Sequence, residues 1–265
     1  MHTVTLRDGA KLAVADEGVG SPPLVLVSGL GGTAGFWNPL IDAIGPEIRT
    51  IRFDQRGIGA SERGRQPVTI ETLAADTWQI IDQLAIPRPV LCGHSTGGAI
   101  VQEMELMRPG TTSGIVLSGS WAGPDLFMER MFGIRLELLA KLPARYSEFA
   151  ALLGSPPAWH RDHPDALRNV IDQAPSEAEA AIIEERIHAL LAHDCRGRLS
   201  RLRSPALILG AADDMIVPAY LQRELAALLA NPALHMFDHG GHFYPVTRPA
   251  DTAATLRRWL STIDT

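Results

Sequence analysis

The sequence predicts an α/β fold: a mostly parallel, doubly wound central sheet flanked by helices, with an inserted helical cap. Three observations carry this. Short unbroken apolar runs, such as residues 24–27 and 205–210, suit strands covered on both faces. Segments of helical period separate them, as at 69–84, where Ile70, Leu73, Ala74, Thr77, Ile80, Ile81 and Leu84 share one face. Between Ser118 and Arg203 the alternation stops and helix-like sequence takes over, broken by Gly-Pro at 123–124 and Pro-Pro at 156–157.

The elements follow in order. Residues 3–6 and 11–15 read as a hairpin turned at Asp8-Gly9. A strand at 24–27 precedes a helix at 36–44, and a second strand spans 49–53. The helix at 69–84 starts at Thr69, a suitable cap. A strand at 90–92, a helix at 96–107 and a strand at 114–117 come next. The inserted segment predicts four helices, near 125–141, 143–153, 164–173 and 176–193. Its large apolar residues include Trp121, Phe127, Met128, Met131, Phe132, Phe149 and Trp159, most of which pack the cap and a few of which line a pocket. Strands at 205–210 and 233–237 then alternate with helices at 219–229 and 250–260. The domain division is a core of 1–118 and 197–265 with a cap at 119–196.

Composition narrows the class. A chain of 265 residues suffices for one large domain with an insertion. A hydrophobic content of 46% fits a globular chain that buries a core. The net charge of −6 disfavours nucleic acid and anionic membrane as partners. No run reaches membrane-spanning length, and the N-terminus lacks the pattern of a secretory signal. Cys92 sits in a strand as a buried small side chain, and with Cys195 alone beside it no disulfide framework is indicated, which suits the cytoplasm. No metal-ligand spacing appears. His160 and His163 read as solvated residues of a Pro-rich loop.

The chemistry concentrates at Gly93-His94-Ser95-Thr96-Gly97-Gly98, between a strand and a helix. A Gly-x-Ser-x-Gly turn there reverses the chain sharply, strains the backbone at Ser95 and lifts its hydroxyl above the sheet edge. The Thr96 N–H, at the helix N-terminus, is left free for a developing oxyanion. Asp214 follows the strand at 205–210, and His242 follows the strand at 233–237. Ser95, His242 and Asp214 thus form a candidate nucleophile, base and orienting acid, all beyond strand ends. The alternative is that His242 packs in a loop and Asp214 caps the helix near Pro218.

These motifs resemble the α/β-hydrolase superfamily over nearly the whole chain. Ser28-Gly29-Leu30-Gly31-Gly32 is similar to the family's oxyanion loop, with Ser28 where many members carry His. Asp54-Gln55-Arg56-Gly57-Ile58-Gly59-Ala60-Ser61 is similar to the loop after the next strand, and Gly241-His242 to the histidine loop. The family's acid usually stands four residues before a proline, which favours Asp214 over Asp213, with the doublet leaving both in play. The resemblance implies a Ser95–Asp214–His242 serine hydrolase with an acyl-enzyme, and oxyanion donors at the Leu30 and Thr96 backbone N–H. It requires no cofactor and no metal. Ser28, Gly29 and Trp121 are candidate substrate contacts. Arg56 either binds a substrate carboxylate or, as the favoured reading, builds its loop.

The loops look most similar to the aminoacrylate hydrolases of pyrimidine breakdown, then to enol-lactonases. The resemblance therefore implies a small acyl substrate and water as partners and cleavage of an amide, carbamate or enamine C–N bond. Ester, enol-lactone or C–C hydrolysis of a ring-fission product is the alternative, and a receptor on the same fold the alternative from another class. A serine at 95 argues against haloalkane dehalogenase and epoxide hydrolase chemistry, which use aspartate there. A homodimer is left open.

Overall fold

The structure, a computed structural model, describes residues 1–171 and 174–263. Its centre is an eight-stranded sheet: β1 (His2–Thr5), β2 (Lys11–Glu17), β3 (Leu24–Val27), β4 (Thr50–Phe53), β5 (Val90–His94), β6 (Gly114–Ser118), β7 (Ala206–Ala211) and β8 (Ala233–Phe237). The spatial order is β1-β2-β4-β3-β5-β6-β7-β8. The β1–β2 hairpin and the β2–β4 pair are antiparallel, and every other pair is parallel. Outside the insertion, the helices are α1 (Asn38–Ile44), α2 (Ile70–Gln83), α3 (Thr96–Met107), then α9 (Ala219–Leu228), α10 (Tyr244–Thr247) and α11 (Pro249–Leu260). Between β6 and β7 lie α4 (Leu126–Lys141), α5 (Pro143–Gly154), α6 (Pro157–Asp162), α7 (Pro164–Ile171) and α8 (Glu177–Ala192).

The period-2 alternation of strand side chains divides the core in two. Val25, Val27, Ile51, Leu91, Ile115, Leu117 and Ile208 face one side, with α2 and α3. Leu24, Leu26, Val90, Cys92, Val116, Leu207 and Leu209 face the other, where α1 and α11 bring Leu40, Ile44, Leu256 and Trp259. Cys92 therefore points to the α1/α11 face, and burial pushes its thiol up to about 12. Helix starts follow local chemistry. Thr69 Oγ1 accepts from the Thr72 N–H at 3.1 Å, and Ser176 with Glu179 forms a reciprocal capping box on α8.

Several details differ from the sequence expectation. The predicted helix at 36–44 is a 3-10 turn, Ala34–Trp37, followed by α1, because Pro39 in the first turn of α1 has no N–H to continue a ladder through it. Residues 157–162 form α6 rather than a loop: Pro157 occupies the first helical position, where its missing N–H costs nothing. His160 and His163 thus sit on and just after a helix, bonded to the carbonyls of Ala151 and Trp159. The predicted helix at 164–173 is seen to Ile171, and 172–173 lie outside the described residues. The short α10 and a 3-10 turn at Arg196–Arg201 lack a long enough apolar period to be read in advance.

Parallel order reverses around β3, whose neighbours are β4 and β5. Such a switch point opens a crevice at the carboxyl ends of the strands, and the loops after β3, β5, β7 and β8 meet there.

Candidate active site

The turn from β5 to α3 is the sharpest feature of this rim. Ser95 adopts φ 56° and ψ −122°, a conformation that costs an ordinary side chain free energy. A Cβ at Gly93 would collide with the Gly97 carbonyl, and a Cβ at Gly97 with the Val27 carbonyl, so both positions require glycine. The Ser95 N–H donates to the Ser118 carbonyl on β6 at 2.7 Å, fixing the turn to the sheet. Thr96 is the first residue of α3, where a helix leaves its N–H without an intrahelical acceptor.

The loop after β3 faces Ser95. A Cβ at Gly29 would lie 3.0 Å from Ser95 Cβ and 3.6 Å from its Oγ, so glycine permits the close approach. Ser28 Oγ donates to the Thr33 carbonyl at 2.6 Å, which commits its proton to the loop. From beneath, Gln55 Nε2 donates to the Ser28 carbonyl at 2.6 Å. From α8, the guanidinium of Arg186 donates to the carbonyls of Leu30 (Nε, 2.7 Å) and Gly29 (Nη2, 3.0 Å), and to Gln55 Oε1. Arg186 is fully buried with no acidic partner among the described residues, and burial brings its pKa down to about 10. Neither Arg186 nor Gln55 was identifiable as a site residue from sequence.

The loops after β7 and β8 bring the acid and the histidine together. Asp214 Oδ2 lies 2.8 Å from His242 Nδ1, with both side chains buried. Asp214 Oδ1 accepts from the N–H groups of Ile216 and Val217 at 2.9 Å, and Gln222 Nε2 donates to Oδ2 at 3.1 Å. This leaves the Asp214 carboxylate fully bonded and its orientation fixed. Asp213 does something else: its carboxylate accepts from the N–H groups of Gly240 and Gly241, at 3.2 and 2.8 Å, and ties down the loop that carries His242. The structure therefore separates the doublet, with Asp214 on the imidazole.

His94 is a further site residue that sequence reasoning passed over, although it occupies the first variable position of the turn motif. Its Nδ1 bonds Ser118 Oγ at 2.9 Å, and that hydroxyl contacts the Tyr244 phenol. The ring lies 4.8 Å from the His242 ring and stacks on Phe36. Burial, then the neighbouring His242, holds its pKa well below the usual histidine range, so it stays neutral.

A cavity of about 330 Å³ opens onto Ser95 and His242. Ser28, Gly29 and Leu30 line it from below, Phe36 and His94 from the side, and Phe132, Arg135, Tyr146 and Ile183 from the inserted helices. Neither Ser95 Oγ nor His242 Nε2 makes a hydrogen bond among the described residues, so both are available to a ligand. Trp121 is a correction. It is absent from the cavity lining, its indole being 1% exposed within the core cluster that includes Met128 and Phe132. Gly119, at φ 53°, redirects the chain past the strand end before Trp121 is reached. Arg56 is likewise away from the cavity, held by both Asp76 oxygens at 2.8 Å and by Asp8 at 2.6 Å, which agrees with its loop-building reading.

Chemically, a buried carboxylate–imidazole pair beside a strained serine suits proton removal from a hydroxyl. The backbone N–H groups of Leu30 and Thr96 have no backbone acceptor among the described residues.

Comparison with known proteins agrees. The model of the family described as "Alpha/beta hydrolase family" matches residues 24–255. A protein of Variovorax paradoxus named "Putative carbamate hydrolase RutD" is 35% identical over 247 residues, covering 91% of this chain and 92% of its own. One of the same name from Azorhizobium caulinodans is 32% identical over 235 residues, with 88% of each covered. Among solved structures, the enol-lactonase of Burkholderia xenovorans LB400 superposes with a TM-score of 0.85 at 23% identity, covering 98% of this chain and 100% of that one. A thermophilic esterase from Thermogutta terrifontis gives 0.87 at 22% identity, covering both chains fully. At those identities the structural likeness is one of fold.

Proposed function

The chain belongs to the alpha/beta hydrolase family and is a hydrolase, and from that premise we propose that it is a serine hydrolase of a small metabolite. The observation that carries the reading is the 2.8 Å contact of Asp214 with His242 at the wall of the cavity that Ser95 enters. Ser95 attacks the acyl carbon, His242 takes its proton and passes it to the leaving group, and Asp214 holds the imidazole tautomer and stabilises the imidazolium. The N–H groups of Leu30 and Thr96 hold the oxyanion, each donor contributing about 3 kcal/mol to the transition state. Water activated by His242 then releases the acid. The chain's own side chains and water account for every proton moved.

The name borne by the relatives at 32–35% identity supports a carbamate C–N bond as the target, and an amide presents Ser95 with the same kind of acyl carbon. Residues 119–196 act as a cap over a core of 1–118 and 197–265. Phe132, Arg135, Tyr146 and Ile183, all from this segment, line the cavity, which supports the cap as the seat of specificity. No helix among the described residues is long and apolar enough to cross a membrane.

The test is steady-state turnover on a panel of small carbamates, amides and esters, with wild type and Ser95→Ala compared. Multiple turnover by the wild type, lost in Ser95→Ala with the fold retained, is the expected result. A variant as active as wild type overturns the mechanism, and a wild type that turns over esters far faster than every C–N substrate overturns the bond assignment.

A further inference from the structure

The cavity beside Ser95 contains one permanent charge that the proposed chemistry leaves unused. Arg135, on α4, is the sole Asp, Glu, Lys or Arg among the described residues lining it. The residue is 6% exposed and has no ion pair among the described residues. Its guanidinium lies over two aromatic faces, with Cζ 5.0 Å from the ring centroids of Phe132 and Tyr146. Nη2 donates to the Tyr146 hydroxyl at 2.9 Å, while Nε is buried without a hydrogen-bond partner.

Leaving a cation in an apolar cavity without a counter-charge is costly, and an unbonded buried N–H adds to that cost. The ring faces offset part of it through cation–π attraction, which also holds the guanidinium plane in place. They supply no anion and no acceptor for Nε. Of the other buried arginines, Arg56 has Asp76 and Asp8, whereas Arg186 donates to two backbone carbonyls and the Gln55 amide oxygen but, like Arg135, has no acidic partner among the described residues and keeps one buried N–H, at Nη1, unbonded. Arg135 has a single acceptor, the Tyr146 hydroxyl, where Arg186 has three, and Arg135 is the one of the two on the cavity wall.

We infer that Arg135, assisted by Tyr146, is an anion subsite for a carboxylate carried on the acyl part of the substrate. A guanidinium presents planar, divergent donors that match a carboxylate. A cavity of about 330 Å³ limits the substrate to a few carbons between that carboxylate and the carbonyl attacked by Ser95. The subsite is a specificity-determining element, and it rests on the reading of Ser95 as nucleophile only for the orientation of substrate.

Two measurements test it. The first needs no turnover: calorimetric binding of butyrate and of its neutral isostere butyramide to the wild-type protein. Butyrate should bind at least about tenfold more tightly. Arg135→Met should abolish that difference and leave butyramide unchanged, with Arg135→Lys recovering part of it. Equal binding of the two compounds by the wild type, or a preference that survives Arg135→Met, overturns the subsite.

The second compares hydrolysis of the mono-p-nitrophenyl ester of succinate with p-nitrophenyl butyrate. Wild type should favour the anionic ester at least about tenfold in kcat/KM, chiefly through KM, and Arg135→Met should lose that preference, falling at least about tenfold more on the anionic ester than on the neutral one. A variant that loses both rates equally marks Arg135 as a packing residue and overturns the inference. Failure of the triad would silence both esters yet leave the butyrate preference intact, so the two readings fail separately.

Discussion

Arg186 Nε lies 2.7 Å from the carbonyl oxygen of Leu30, so a side chain of α8 grips the loop after β3 that lies against Ser95. With Nη2 on the Gly29 carbonyl and on Gln55 Oε1, the guanidinium fixes two points of that loop and ties it to the loop after β4. Its position depends on the inserted helices, and this couples the inserted segment to the proposed oxyanion donors.

Arg186→Met should lower kcat by about 10- to 100-fold, a fraction of the loss expected when an oxyanion donor is removed outright. KM should change little, because the cavity walls remain. Arg186→Lys should recover part of the rate by bonding one carbonyl in place of two. Parallel kcat and KM measurements check this, with circular dichroism to confirm folding. A purely structural role would lower the fraction of active protein without altering kcat per titrated site.

The two adjacent carboxylates should separate kinetically. Asp214→Asn removes the acceptor that fixes the His242 tautomer and should cut kcat by roughly 10⁴. Asp213→Asn weakens two backbone bonds that hold the histidine loop, at 2.8 and 3.2 Å, and should cost far less. Turnover of both variants on one verified substrate decides the order.

The apolar runs made the fold legible, since each parallel strand is a short unbroken hydrophobic stretch bounded by turn residues. The proposed triad was legible for the same reason: its members follow strand ends in chain order. Arg186 and Gln222 were not, because each acts across a fold-dependent distance. Arg186 meets Leu30 across a sequence separation of 156, and nothing local to α8 marks it. Trp121 failed in the opposite way. Its place directly after a strand suggested the pocket, but the left-handed turn at Gly119 feeds the indole into the core.

Trp121→Ala should therefore behave as a core truncation. A loss of about 3–5 kcal/mol is the expected cost of removing a buried tryptophan. Relative rates across the acyl panel should stay the same for the folded fraction. Chemical denaturation with parallel kinetics tests both halves, and a shifted substrate preference at unchanged stability would restore Trp121 to the pocket.

Stability should fall on acidification from about pH 6.5. Burial, then the charge of Arg198, brings the pKa of His193 down to about 4, and burial depresses His94 in the same direction. A lowered folded pKa means that the unfolded chain takes up the proton first as pH drops through the ordinary histidine value of about 6.5. The folded state is penalised from there until pH reaches the folded pKa, and for His193 this amounts to about 3 kcal/mol by pH 4. Urea midpoints should decline between pH 7 and pH 4.5, and less steeply in His193→Gln. A flat profile would contradict the burial of both imidazoles as the cause.

The central claim is that Ser95 is an activated nucleophile. The most direct measurement is peptide-resolved mass spectrometry after incubation with a small phosphonylating reagent, read against residual turnover. The account predicts one adduct per chain, located on Ser95, with activity falling in proportion to labelling, and no adduct on that peptide in His242→Ala. An unmodified Ser95, or a fully labelled protein that still turns over substrate, would contradict it.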